Sequence, residues 1–504
     1  MKILSLQNIS KAFISHMLRN VERCSDVSAA YKYLLPVAPH LAEIAYMCQY
    51  YKSPKLTELF LPILVAKGKL FINAINIKEI LSYWNESECK TNVASITHLK
   101  VGDIEGRQYF NFLPFLGHLT RLQYLEIGSF VDDDLLVVLG INCPQLLVID
   151  AREDTANAVT DVGLSYLALC TKLRRVLFSV FADEYDCTVD QLGFSGKGIA
   201  LLLLSLPDLE HVQCSEYLLR DALRFIYQSS YHNRTLPVRC MFIDHPEVNV
   251  RTLQIVPILC PKLEVISLLA ENNNEKLIGK SLRALSKLKI LVLSLGSGCK
   301  FDLLNFASYG PQLVYLQVTT HLLDSQDVLL LSHTCVQLKT LVLKMFSFGF
   351  DGVGATNLEN SLFPRVEKLE LHQNISVRLF KFLNSNMENL REVYFTWATI
   401  HDLEDALTVV VQSGGWKNVE LLVLPILSQI SLPVAQMIAA ALPNLKCLGI
   451  TVHESEENDL NNYIRRYLPL VSRADQESVP SPSTSGIFSQ NSWSDEIQID
   501  QIYL

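Results

Sequence analysis

Six residues patterned apolar-x-x-apolar-x-apolar recur down this chain, and that recurrence restricts its fold more than any other feature. Copies start at Ile96, Leu122, Leu173, Leu209, Val238, Leu263, Leu288, Leu313, Leu338, Val366, Leu390, Val419 and Leu445, with a weaker copy at Leu146 and an isolated one at Leu56. From Leu209 onward the starts lie 29, 25, 25, 25, 25, 28, 24, 29 and 26 residues apart. A period of this length means one small unit repeated, each too small to bury its own apolar edge and stable only against its neighbours. Each copy suits one short strand with its apolar positions turned inward. The segments between, such as 132–142, 219–228, 276–287 and 402–412, carry apolar residues at helical spacing and predict a return helix. Ser325, preceded by Asp324, adds a helix-start signal ahead of an apolar run. The expected fold is an α/β solenoid of about 14 repeats, each of roughly 26 residues, spanning 53–471.

Composition removes several functional classes. The chain of 504 residues is 49% hydrophobic and 19% charged, which demands a large core. Lys+Arg 43 against Asp+Glu 52 gives −9, and a sequence pI near 5.8 argues against nucleic acid, whose phosphates are bound by dense Lys and Arg. The opening residues MKILSLQNISKAFISHMLRN lack the apolar core of a secretory signal. The most apolar stretch, 421–442, is broken by Pro425, Ser428, Gln429, Ser431, Pro433 and Gln436, so no membrane span is expected. Twelve cysteines show no CxxC pair and no zinc spacing, as expected of small buried hydrophobes in a cytoplasmic or nuclear protein. Phosphate-binding, dinucleotide, zinc-protease and nucleophile-elbow motifs are all missing from the sequence. No catalytic residue, metal or cofactor is therefore expected. The run Asp132, Asp133, Asp134 reads as complementing a helix dipole.

The repeat details resemble the cysteine-containing leucine-rich repeat family, found in F-box and related substrate receptors of cullin-RING ubiquitin ligases. NCPQL around Cys143, VTDVGLSYLALCTKL from Val159, LCPKL around Cys260 and TCVQL around Cys335 carry the resemblance. It implies a leucine-rich repeat fold and a protein-binding role without bond-making chemistry.

Residues 1–52 precede the ladder and read as a helical segment, either a cap for the first repeat or an adaptor-binding box. SLQNISKAFI, residues 5–14, resembles the elongin BC-box: Ser5, Leu6 and Ile14 match, with Ser10 where that pattern has Cys. The resemblance implies that Leu6, Ile9, Ser10, Phe13 and Ile14 meet an elongin adaptor, or a related Skp-type adaptor, which in turn brings a cullin. LLPVAP from Leu34 partly resembles a cullin box. The competing expectation is an adaptor-free scaffold.

A protein partner is expected on the open face of the strands, because the third and fifth template positions point away from the core. Toward the start these are charged and mixed: His98, Lys100, Tyr124, Glu126, Asp150 and Arg175, with Arg152 just beyond its template. Further on they form an apolar stripe expected to face water: Phe242, Val265, Ile290, Val292, Tyr315, Gln317, Val342, Tyr394, Leu421 and Val423. Tyr124, Glu126, Arg152, Arg175, Phe242, Tyr315 and Tyr394 are the expected contacts. Residues 472–504 form a tail, Ser- and Pro-rich to 491 and apolar at Trp493, Ile497, Ile499, Ile502, Tyr503 and Leu504. That apolar end is expected to dock around Tyr394, Leu421 and Val423.

Overall fold

The computed structural model describes residues 61–473, except 62–63, 73–75, 86–92, 103, 105, 129–130, 152–157, 179–192, 230–233, 244–249, 271–274, 297–307, 323–324, 350–361, 374–376, 397–402, 415, 425–429, 451–458, 461 and 464–471. The chain divides into two compact units, Met1–Met241 with Ile258–Lys262, and Phe242–Pro257 with Leu263–Leu504. In the first unit run β1 (Lys69–Ile72), β2 (His98–Val101), β3 (Tyr124–Ile127), β4 (Val148–Ala151), β5 (Arg175–Phe178) and β6 (His211–Gln213). β7 (Cys240–Ile243) lies at the division. The second unit carries β8 (Val265–Ala270), β9 (Ile290–Leu295), β10 (Tyr315–Leu322), β11 (Thr340–Gly349), β12 (Lys368–Gln373), β13 (Glu392–Thr396), β14 (Leu421–Val423), β15 (Cys447–Gly449) and β16 (Ser472–Arg473). Within each unit every strand pairs in parallel with the next in sequence. Each unit is a stack of leucine-rich repeats. The last strand carries the pairing two residues past position 471.

Most strands begin two residues into a template copy, and one carbonyl per repeat sets their register. Thr97 O accepts the backbone N–H groups of Gln123 and Tyr124 at 2.8 and 2.9 Å, and Gln123 O accepts those of Leu147 and Val148 at 2.8 and 3.0 Å. The same fork recurs in the second unit, where Glu264 O takes Lys289 and Ile290 and Lys289 O takes Val314 and Tyr315. β1 has no template of its own, yet Gly68 O receives Thr97 and His98 in the same way. Gly68 has φ +70 and Thr97 Oγ1 stands 3.0 Å from where a Cβ would be, so a glycine turn replaces the leucine signal there.

Inward strand positions and the helices make the core. Leu99, Leu125, Ile149, Val176, Ile266, Leu291, Leu316, Leu341, Leu369, Val393, Leu422 and Leu448 are all fully buried. The helices Asp133–Asn142, Asp161–Leu167, Gly196–Ser205 and Glu216–Gln228 fill intervals of the first unit. Leu403–Gln412, in the second, matches the segment expected at 402–412. Six described cysteines, Cys143, Cys170, Cys214, Cys240, Cys260 and Cys335, are buried free thiols. Cys143 Sγ donates to Leu119 O at 3.6 Å and Cys170 Sγ to Leu139 O at 3.5 Å, so these thiols satisfy turn and helix-end carbonyls of the preceding repeat.

Acids in the first helical turn link successive repeats. Asp132 caps its own helix by accepting from Leu135 N at 2.9 Å. Asp133 faces the next repeat instead and accepts from the backbone N–H of Thr160 at 2.7 Å, from its hydroxyl, and from Gly163 N at 3.1 Å. Asp161 repeats the arrangement with Ser195 N at 2.8 Å and Ser195 Oγ at 2.7 Å. In the second unit Glu404 accepts from the N–H and hydroxyl of Ser431. Dipole complementation was therefore only part of what the Asp132–Asp134 run does.

Candidate functional site

Alternation along each strand leaves two rows of side chains on the open face of the first unit. In register, the first row is Lys69, His98, Tyr124, Val148, Arg175 and His211, and the second is Phe71, Lys100, Glu126, Asp150, Leu177 and Gln213. His98, Lys100, Tyr124, Glu126, Val148, Arg175 and Leu177 are half-exposed, whereas Asp150 and His211 are buried. The His98 and Tyr124 rings stack at 5.9 Å and 23°, and Lys100 pairs with Glu126 across the strands. Burial, then the nearby Lys69 charge, pushes the His98 pKa below its ordinary value. Cations and carboxylates alternate on this face beside an aromatic pair. Such a surface has the mixed polar and aromatic character found at protein interfaces.

The corresponding face of the second unit is different. Its central row reads Ser267, Val292, Gln317, Val342, Glu370, Tyr394 and Val423 across β8–β14. The apolar stripe expected to face water is largely buried: Val265, Ile290, Val292, Gln317 and Val342 are 0–2% exposed and Val423 is 5%. Tyr315, Tyr394 and Leu421 remain half-exposed. The correction has a simple cause. Strand alternation fixes which way a side chain points and carries no information about what lies across from it.

A charged cluster on β12 and β13 went unnamed in the sequence reading, although Lys368 and Glu370 occupy the third and fifth positions of the Val366 template. Lys368 Nζ lies 2.6 Å from Glu370 Oε1 and 4.8 Å from the centre of the Tyr394 ring. His372 Nε2 lies 3.3 Å from Glu370 Oε2. Burial alone would push the Glu370 carboxyl up, but the His372 hydrogen bond and the Lys368 ammonium outweigh it and hold the pKa down at about 2. Burial first, and then the Glu392 carboxylate, push the Tyr394 phenol well above its ordinary value.

Because the folded pKa of Glu370 lies below the unfolded one, its contribution to stability is complete above about pH 4.5 and is lost as pH falls towards 2. Glu370→Gln is expected to be less stable than the natural protein at pH 6, with the gap closing progressively below pH 4.5. Urea unfolding at a series of pH values measures it, and a gap constant from pH 6 to pH 3 would contradict the assignment.

The remaining expected contacts are distributed unevenly. Tyr124, Glu126 and Arg175 come together on β3–β5, and Tyr315 and Tyr394 lie on β10 and β13. Phe242 is half-exposed on β7. Arg152, and Leu6, Ile9, Ser10, Phe13 and Ile14, lie outside the described residues, as does the tail beyond Arg473. Burial pushes the thiols of Cys143, Cys170, Cys214, Cys260 and Cys335 up to about 12, which suppresses the thiolate form a nucleophile needs. Among the described residues no group of three or more His, Cys, Asp or Glu side chains gathers to hold a metal ion. No described helix is long and apolar enough to cross a membrane.

The chain matches no protein-family model, and no curated protein sequence matches it. Among solved structures it is similar to the leucine-rich repeat protein LIC12759 of Leptospira interrogans, at 14% identity over 80% of this chain and 99% of that one, TM-score 0.37. It is similar to a chain of the Rad7 and Elc1 complex of yeast, at 18% identity over 84% and 97%, TM-score 0.34. It is also similar to TLR13 in its complex with ssRNA13, at 15% identity over 72% and 54%, TM-score 0.43, so it spans about half the length of that chain. The assignment of the repeat fold rests on the ladder of templates, strands and carbonyl forks.

Proposed function

We propose that this protein is the substrate-recognition subunit of a cullin-RING ubiquitin ligase, working in the cytoplasm or nucleus and holding a protein partner on the open face of its repeats. The observation that supports the binding role is the half-exposed, mixed-charge face of β2–β5, where an aromatic pair, an ion pair and Arg175 share one parallel sheet. Tyr124, Glu126, Arg152 and Arg175 are the proposed contacts there, with Phe242, Tyr315 and Tyr394 as further aromatic anchors. Aromatic and Arg side chains carry a disproportionate share of interface energy. The chain contributes no bond-making group in this reading.

The adaptor half of the proposal rests on residues 5–14. Leu6, Ile9, Phe13 and Ile14 would present one apolar helix face to a groove of an elongin or Skp-type adaptor. Leu6→Ala is then expected to weaken adaptor capture by about 2–3 kcal/mol, on the order of 100-fold, while thermal unfolding of the repeats stays unchanged. Co-purification of the full chain with elongin and Skp-type adaptors present tests it. Capture of neither adaptor, with the repeats folded, would leave the scaffold reading in its place. A loss of folding in Leu6→Ala would identify residues 1–52 as a cap.

A further inference from the structure

The helix side of the first unit exposes large apolar side chains in one stretch. Ile141, Val162, Tyr166, Leu169, Leu201 and Phe225 are 36–60% exposed, and all lie on or just beyond four consecutive helices. Apolar residues scattered singly on a surface need no explanation, but a contiguous group does. Among the described residues of the second unit such side chains are confined to Leu330 and Val336 in one repeat and Val409 in another.

Glycines bring the four helices close enough to make the group continuous. A Cβ on Gly140 would overlap the Tyr166 backbone, so Ile141 stands beside Tyr166. Gly163 and Gly198 occupy equivalent places, because a Cβ on either would meet an aspartate Oδ1 and a leucine Cδ1 of the preceding helix. Tyr166 and Leu201, each three residues further on, therefore stand side by side. A Cβ on Gly196 would meet Asp221, Ala222 N and Leu218 O of the next helix, which sets Phe225 level with Leu201. The result is one row, Ile141, Tyr166, Leu201 and Phe225, with one residue from each helix. Val162 and Leu169 widen it, four residues before and three after Tyr166, on the same face.

The size and order of this row fit a second copy of the same chain. With side chains of roughly 150–250 Å² each, these exposures leave about 500 Å² of apolar surface. A standard interface buries about 800 Å² per partner, and in homodimers roughly 65% of it is apolar. The two areas agree. The row also complements itself. A two-fold axis between Tyr166 and Leu201, normal to the row, lays Tyr166 on Leu201 of the second copy and Ile141 on its Phe225. Each pairing sets an aromatic ring against an aliphatic side chain.

We propose that two copies of this chain pair through the row Ile141, Tyr166, Leu201 and Phe225, related by that two-fold axis. The contact lies on the helix side, opposite the open strand face, so it leaves that face accessible and does not depend on the ligase reading. Sedimentation velocity of the full chain is expected to show a particle of twice 56.9 kDa at micromolar concentration. Tyr166→Asp with Leu201→Asp should raise the dissociation constant at least about tenfold, with the thermal unfolding midpoint unchanged because both side chains are exposed. Leu330→Asp with Val409→Asp should leave the particle as it is. Photo-crosslinking tests the register in a chain that keeps Tyr166 and Leu201. p-Benzoylphenylalanine replacing Ile141 should form an adduct on the tryptic peptide 225–234. Within one chain Phe225 lies three helix spacings from Ile141, about 27 Å, beyond the reach of the probe, so that adduct reports a second copy. A monomer at every concentration up to about 100 µM, a dimer unmoved by the Asp pair, or adducts only on other peptides would each overturn the proposal.

Discussion

Trp416→Ala is expected to lower the unfolding free energy of the second unit by about 3–5 kcal/mol, the range for truncating a large buried aromatic. Trp416 is fully buried and packs against Phe380 at 6.0 Å and Phe395 at 6.4 Å, rings that themselves meet at 5.1 Å. The cluster joins the helix Val377–Asn386 to β13 and to the turn ahead of β14. Its one polar atom is satisfied, because Trp416 Nε1 donates to Asn384 Oδ1 at 2.8 Å while Asn384 Nδ2 donates to Phe380 O at 2.9 Å. Alanine therefore opens a cavity and also strands a buried acceptor. Trp416→Phe separates the two costs: it keeps most of the packing but leaves Asn384 Oδ1 unmet, for about 1–3 kcal/mol. Urea unfolding of the full chain measures both. A loss below 1 kcal/mol for the alanine variant would mean that this cluster does not hold the repeats together.

The repeat fold was legible because period and polarity agree at every level. Templates at Leu122, Leu173 and Leu263 place strands at Tyr124, Arg175 and Val265, and the segments read as helical hold helices. β1 was not legible, since a glycine turn at Gly68 does the work of the missing template. A second signal was present and went unread. Asn or Gln precedes the first template residue in several later repeats, and Gln312, Asn389, Asn418 and Asn444 each donate to a turn carbonyl of the preceding repeat at 2.7–3.0 Å. Gln312 reaches the carbonyl three residues before the preceding template, the position that Cys143 reaches in the first unit, whereas the three asparagines reach the carbonyl one residue later. The candidate site was legible only in direction. Strand alternation identified Tyr124, Glu126, Tyr315 and Tyr394 as outward-facing, but it gives direction alone and so did not report that Val292 and Gln317 are buried.

Gly140→Ala is expected to destabilise the first unit by about 2–3 kcal/mol, although alanine is the better helix former by up to ~1 kcal/mol. Gly140 lies in the helix Asp133–Asn142, and a Cβ there would overlap the carbonyl of Tyr166 in the next repeat's helix. That neighbour is backbone, so relief requires the two helices to move apart. Gly163 presents a different obstacle: its Cβ would overlap Asp133 Oδ1, the oxygen that accepts from Gly163 N. The pairing of an acid in one repeat with a glycine in the next recurs at Asp161 and Gly198. It explains physically why Thr160, Asp161 and Gly163 occur together: hydroxyl cap, acid for the following repeat, and room for the acid of the preceding one. A double-mutant cycle distinguishes the two glycines. Asp133→Ala alone should cost about 1–3 kcal/mol through the lost bonds to Thr160 and Gly163. In that background Gly163→Ala should lose most of its cost, because the 2.3 Å obstacle is gone and only Leu136 Cδ1 at 3.0 Å and the Cα of position 133 at 3.1 Å remain, whereas Gly140→Ala should keep its full cost. Equal costs for both glycines in both backgrounds would show that helix spacing, and not the carboxylate, governs the position of Gly163.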